Sequence, residues 1–176
     1  ELGDFVRRGP GVGSAGETGR RNSMGLLNVA YLPTLTWGNP GIRSLEQQVL
    51  LPLLGEHPVE LGMAGQEAVL LARLRQDRQY RQLFRRAFPE RRGEISLWTL
   101  TRAIAAFERT LLSFGSPYDR YRYGGDESAI SESAKRGEAL FFGERLECYH
   151  CHGGLNLTDN LVHRRRAPEH GPGGCG

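Results

Sequence analysis

Cys148, Cys151 and His152 stand in the order Cys-x-x-Cys-His within Glu147-Cys148-Tyr149-His150-Cys151-His152-Gly153-Gly154. Two thiols two residues apart on one turn can each add to a haem vinyl group. The histidine directly after the second cysteine then lies under the iron as its proximal ligand. The spacing predicts a covalently held c-type haem. A redox dithiol or half of a tetrahedral zinc site would use the same cysteines. The first would want a βαβ setting and the second another pair of ligands in range, and the sequence offers neither.

The elements that must carry this motif read as helices. Ser44 followed by Leu45-Glu46-Gln47 is a helix start, with Ser44 as N-cap and Gln47 in the capping-box position. That helix holds Leu45, Val49 and Leu50 until Pro52 ends or kinks it. Residues 65–75 and 77–88 predict two amphipathic helices. The clearest helix spans 96–113, with Leu97, Leu100, Ile104, Phe107, Leu111 and Leu112 on one apolar stripe. A turn around Pro117 and a polar stretch over 120–130 follow, then a last helix over about 131–143 leading into the haem motif. No run of alternating β-branched residues argues for a sheet, so the predicted class is all-α. Before these helices lies a glycine-rich stretch, with glycine at 9, 11, 13, 16 and 19. It predicts a loop, either a flexible end or a cofactor wrap.

Composition excludes several classes. With 39% hydrophobic and 24% charged residues, the 176-residue chain is an ordinary soluble globular protein. Its 23 basic and 20 acidic residues look interspersed, and a net charge of +3 speaks for a solvated mixed surface, not for nucleic acid. No apolar run is long enough to span a membrane. There is no signal peptide either, and Glu1 is not an initiator methionine. Covalent haem is fitted outside the bacterial cytoplasm, so a trimmed leader or a fragment is expected. Residues 163–176, with Arg164-Arg165-Arg166 and a lone Cys175, predict a disordered or aberrant tail.

Further motifs occur in a fixed order. Arg21-Asn22-Ser23 precedes Leu27-Asn28-Val29-Ala30-Tyr31, Trp37, Ser44-Leu45-Glu46-Gln47-Gln48 and Pro58-Val59-Glu60-Leu61-Gly62. Phe107-Glu108-Arg109-Thr110-Leu111, Ser116-Pro117-Tyr118-Asp119-Arg120-Tyr121 and Lys135-Arg136-Gly137 come next, ahead of Cys148 to His152. Over residues 20–160 this order resembles the bacterial di-haem cytochrome c peroxidase and MauG family. The resemblance implies two cytochrome-c-like helical domains, each with its own haem. By position, the single Cys-x-x-Cys-His matches the second, electron-transferring haem. On that frame residues 1–114 are the remainder of the N-terminal, peroxide-reacting domain and residues 115–162 begin the C-terminal haem domain. The attachment motif of the first haem would lie before Glu1.

What the resemblance implies for single residues follows from matching positions. Trp37 resembles the tryptophan between the two haems, which passes electrons from one iron to the other; read alone it would be a core aromatic beside Pro33 and Leu35. Glu60 resembles the distal-pocket glutamate that moves a proton between the peroxide oxygens; read alone it is an exposed carboxylate. Gln48 resembles a distal hydrogen-bond partner, and Asn22 a side-chain ligand to an inter-domain calcium. The implied substrate is hydrogen peroxide, with electrons from a small cytochrome c, a cupredoxin or a protein substrate, in the periplasm.

Departures from the family pattern narrow the expectation. Trp37-Gly38-Asn39-Pro40-Gly41 replaces the usual aromatic-Trp-Asp-Gly-Arg stretch. No histidine precedes His57, and Ser14 sits near the place of the distal histidine of some peroxidases. The wording is closest to the MauG-like branch that includes the methanobactin-associated MbnH, whose members oxidise a partner protein. Two other readings stay open: a mono-haem electron-transfer protein without catalysis, and an inactive gene fragment.

Overall fold

The computed structural model describes residues 10–19 and 22–161, so the expected tail at 163–176, with His163 and Cys175, lies outside the described residues, as does Arg21. Six helices make up the regular structure: α1 Leu45–Leu54, α2 Glu67–Gln76, α3 Arg78–Ala87, α4 Leu97–Glu108, α5 Pro117–Arg122 and α6 Glu132–Phe141. Among the described residues there is no strand, only the isolated bridges Val12–Thr18 and Glu56–Val59. The all-α expectation holds.

Local chemistry explains most helix ends. The Ser44 hydroxyl accepts from Gln47 N, and Asp77 accepts from the amides of Gln79 and Tyr80, so each satisfies donors that the first turn leaves free. Ser96 with Thr99, and Ser116 with Asp119, form reciprocal capping boxes. The second of these corrects the sequence expectation of a mere turn at Pro117. Ser116 caps, Pro117 takes the first helical position where no N–H is needed, and Asp119 closes the box. Helix α1 also runs past Pro52 to Leu54. Proline costs it one hydrogen bond, the one owed to the Gln48 carbonyl, and leaves the rest intact.

The core sits where α1 crosses α4. Val29, Leu35, Leu45 and Ala105 are buried together, with Leu32 and Ile42 packed against them. The face that α4 buries is not the leucine stripe. Thr99, Thr101, Ala105 and Glu108 are its buried residues, whereas Phe107 is 63% exposed and Leu112 is exposed as well. Thr101 and Ala105 are small enough to let the helix approach its neighbour closely, while Leu97, Leu100 and Ile104 are half-buried. The helix also stops at Glu108, five residues short of the expected end. Beyond it Asn28 takes the Leu111 carbonyl through its N–H, at 2.8 Å, and brackets Ser113 with its side-chain amide (Nδ2 to Ser113 O 3.2 Å, Ser113 N to Oδ1 2.7 Å). These groups cannot serve the helix and the clamp at once.

Across the α1–α4 contact, Arg109 reaches Glu46 with its two terminal guanidinium nitrogens, at 2.9 and 3.1 Å. Its guanidinium holds the Glu46 carboxyl below its ordinary range. Neighbouring Glu108 is only 8% exposed, and its Oε2 has no hydrogen-bond partner among the described residues. Burial pushes its carboxyl upward, opposed by the pull of Arg109. A raised native pKa stabilises the fold below the unfolded value, and that contribution is lost as pH climbs through the native one. Glu108→Gln should therefore match wild type most closely below the ordinary carboxylate range and gain on it as pH rises above that range, read as a rising difference in Tm.

Candidate haem site and peroxide-pocket loop

The attachment motif is built as a 3-10 turn, Cys148–His150, entered through Glu147 in the left-handed region (φ 51°). The Cys148 thiol is half-buried, the Cys151 thiol is exposed, and neither is in a disulfide. The turn is closed by His152 N donating to Cys148 O at 2.9 Å and by Asp159 N donating to Cys151 O at 2.8 Å. His150 is exposed and stacks on Tyr149.

His152 has a defined orientation. Its Nδ1 lies 3.1 Å from the Leu157 carbonyl. A carbonyl can only accept, so Nδ1 is the donor, and in the neutral ring the lone pair is on Nε2. Histidines that bind iron are commonly fixed in this way. Leu157 itself has φ 50°, a conformation a leucine rarely adopts and one that costs about 1 kcal/mol. The Phe141 ring packs 6.2 Å from the imidazole and links α6 to the motif. Two free thiols on one turn, followed by an imidazole with its outer nitrogen available, fit a c-type haem.

Leu155, Leu157 and Leu161 line a cleft of about 760 Å³ opposite Met24, Leu27, Leu32 and Trp37. Two hydrogen bonds close one side of it: Thr34 Oγ1 donates to Asn160 O at 3.0 Å, and Asn160 Nδ2 donates to Thr34 O at 3.1 Å. Trp37 is 55% exposed, which removes its reading as a core aromatic. Its indole Nε1 donates to the backbone carbonyl of Asn22 at 3.0 Å, fixing the ring on the cleft wall. The structure thus brings Trp37, Asn22 and the segment behind His152 together.

Gln48 and Glu60 belong to another part of the molecule. Gln48 is one turn before Pro52 on α1, on the same face. Leu61 N donates to Pro52 O and Met63 N to Leu53 O, so the loop after His57-Pro58 is stitched to the end of that helix. Glu60 is exposed there. No hydrogen bond joins its side chain to Gln48 among the described residues.

The glycine-rich stretch lies on this loop. Ser14 N donates to Glu60 O at 2.7 Å, and Gly13 N to Glu17 O at 2.8 Å. A Cβ at Gly13 would collide with the Val59 carbonyl, so only glycine allows the approach. Glu17 Oε2 accepts from Val59 N at 2.9 Å. Glu17 is a residue the sequence did not single out. A carboxylate among close-set glycines was its one sequence signal, and that does not reveal a partner 42 positions away.

Comparisons with known proteins find similar chains. Residues 4–128 match the sequence profile described as di-haem cytochrome c peroxidase. Methylamine utilization protein MauG of Methylophilus methylotrophus is 39% identical over 144 residues, covering 81% of this chain and 41% of that protein. Cytochrome-c peroxidase IdrP1 of Pseudomonas sp. (strain SCT) is 35% identical over 151 residues, covering 85% and 38%. A crystal structure of a MauG-like protein associated with microbial copper homeostasis superposes with a TM-score of 0.81 at 41% identity. It covers 92% of this chain and 46% of that one. The chain spans about two-fifths of the length of the relatives it matches.

Replacing Glu17 by Ala should free the Val59 amide. Its hydrogen exchange is expected to quicken several-fold, for a bond worth about 1 kcal/mol. Amides of α4 should be unchanged.

Proposed function

Since the chain belongs to the di-haem cytochrome c peroxidase and MauG family, we propose that it supplies the electron-relay haem site and part of the peroxide pocket of such an enzyme. Residues 1–114 then belong to the peroxide-reacting domain and residues 115–162 to the relay domain. The observation that carries the reading is His152, its Nδ1 held by Leu157 O, beside a cleft walled by Trp37. Cys148 and Cys151 would hold the haem through thioether bonds and His152 would ligate its iron. The haem, when bound, supplies a centre for one-electron transfer, tuned by its ligands and by burial.

The chain's own residues do the rest. Reduction of hydrogen peroxide to two waters takes two electrons and two protons. Glu60 takes the proton from one peroxide oxygen and returns it to the other, which leaves as water. Gln48 orients the peroxide by a side-chain hydrogen bond. Trp37 offers an aromatic path for electrons across the cleft, its ring fixed by the bond to Asn22 O. Asn22 adds one oxygen to the set that a calcium would need. Among the described residues no group of three His, Cys, Asp or Glu stands ready to hold a metal.

Electrons come from a small cytochrome c, a cupredoxin or a protein substrate. Covalent haem attachment implies a periplasmic setting. No helix among the described residues is long and apolar enough to cross a membrane.

In the full-length haem-loaded enzyme, Glu60→Gln should lower kcat for peroxide by 10²–10⁴, on the order of what a general acid–base group contributes, with an unchanged haem spectrum. Activity within threefold of wild type would remove Glu60 from the mechanism. Cys148→Ala with Cys151→Ala should abolish covalent haem at this site, seen as a loss of one haem per chain that survives denaturation.

A further inference from the structure

The chain-wide charge balance hides a segregated surface. Residues 73–102 contain nine arginines and three acids, while the whole chain carries only +3, so the remainder has an excess of acid. These arginines lie on α2, α3, α4 and the turns between them, Arg73, Arg75, Arg78, Arg81, Arg85 and Arg86 on the first two helices. Some have structural work. Arg75 donates to Ile95 O, and Arg81 donates to the carbonyls of Arg75 and Gln76 that end α2. The side chains of Arg78, Arg85 and Arg86 have neither an ion pair nor a hydrogen bond with any described residue.

Their placement serves no local purpose. Phe84 is the buried residue of α3, and Gln82 and Arg86, two positions to either side, lie about 200° from it around the helix. Arg78 falls between the bearings of Arg85 and Arg86, so the three form one outward face. Like charges at Arg78/Arg81 and Arg81/Arg85 repel at helix spacing, and Arg78 sits at the unfavourable N-terminal end of the dipole. A face that works against its own helix is suited to acting on something outside through its field.

The surroundings select the occupant. Tyr80, Leu83 and Trp98 are exposed beside the arginines, and an open concavity of about 340 Å³ lies among Gln79, Gln82, Leu83, Arg85 and Arg86. Mixed aromatic, aliphatic and arginine surface is the composition of protein interfaces. Arg91 and Arg102 stand 3.8 and 3.5 Å from the Trp98 ring centroid, close enough that they must occupy opposite faces. No base can then stack on that ring, which speaks against single-stranded nucleic acid. On α3 Tyr80 and Leu83 are the exposed large apolar residues, too few to make the apolar face with which a helix enters a lipid surface.

We infer that the arginine face of α3, with Trp98 beside it, is a docking surface for an acidic protein partner. It rests on the peroxidase reading only for the partner's role, as electron donor or protein substrate. Binding is therefore measured without peroxide, so that lost docking and lost turnover are told apart. The probe is a labelled poly-glutamate peptide of about 20 residues, titrated with the full-length haem-loaded protein at about 20 and 200 mM salt. Reversing Arg78, Arg85 and Arg86 to Glu should weaken binding by about tenfold or more at low salt, and less at high salt. The same three changed to Gln, which keeps helix propensity, should give a smaller loss in the same direction. Arg43, Arg136 and Arg145 reversed together should leave the Kd within about twofold of wild type. Equal losses in the two reversed sets would overturn the docking face, as would absence of peptide binding. Tighter binding of a thymidine oligonucleotide or of phosphatidylglycerol vesicles than of the peptide would overturn the protein partner.

Discussion

The site depends on how one irregular segment, residues 22–43, satisfies its backbone. Apart from the 3-10 turn Val29–Tyr31 it has no helix to carry its hydrogen bonds. Buried polar backbone that lacks a partner is costly, so the segment needs fixed points. Asn28 supplies the first. It adopts φ 57°, which asparagine tolerates better than most residues, and spends its backbone N–H and both ends of its side-chain amide on residues 111–113. Thr34 and Asn160 supply the second by exchanging two bonds. With both ends pinned, Trp37 and the leucines behind His152 face one cleft.

That clamp also explains the unusual use of α4. Ending the helix at Glu108 turns residues 109–114 back along residues 28–31, where Phe114 meets Tyr31 edge-on at 5.5 Å. The helix buries Thr101, Ala105 and Glu108 along one side and leaves Phe107 outside, and Leu112, beyond its end, is exposed as well. Exposed apolar surface on this scale belongs to proteins that cover it with a cofactor or another chain segment. The cleft walls set five leucines, Met24 and Trp37 among polar residues such as Thr34, Ser116, Asp119 and Asn156.

The loop that carries Glu60 is held by a different device. Gly13 allows backbone to approach backbone, and the Glu17 carboxylate takes an amide that the loop cannot satisfy itself. Both act on residues 59–62, so the glycine-rich stretch is a brace for Glu60 and not a free end. Its flexibility in sequence terms is what lets it fit so closely.

Much of this was legible in the amino-acid sequence. Haem attachment depends on three residues within five positions, and helix caps such as Ser44, Asp77 and Ser116 act within three residues, so covalent connectivity alone brings their groups together. The order of motifs over residues 20–160 likewise carried the family. The apolar stripe of α4 misled because helical periodicity shows that a face exists and not what covers it. The partner of His152, the brace from Glu17 and the cleft itself were decided by tertiary structure. They rest on contacts such as Asn28 to Ser113 and Thr34 to Asn160, separated by 85 and 126 positions. No local spacing encodes such pairs, since only the packed chain fixes which distant carbonyl faces a given donor.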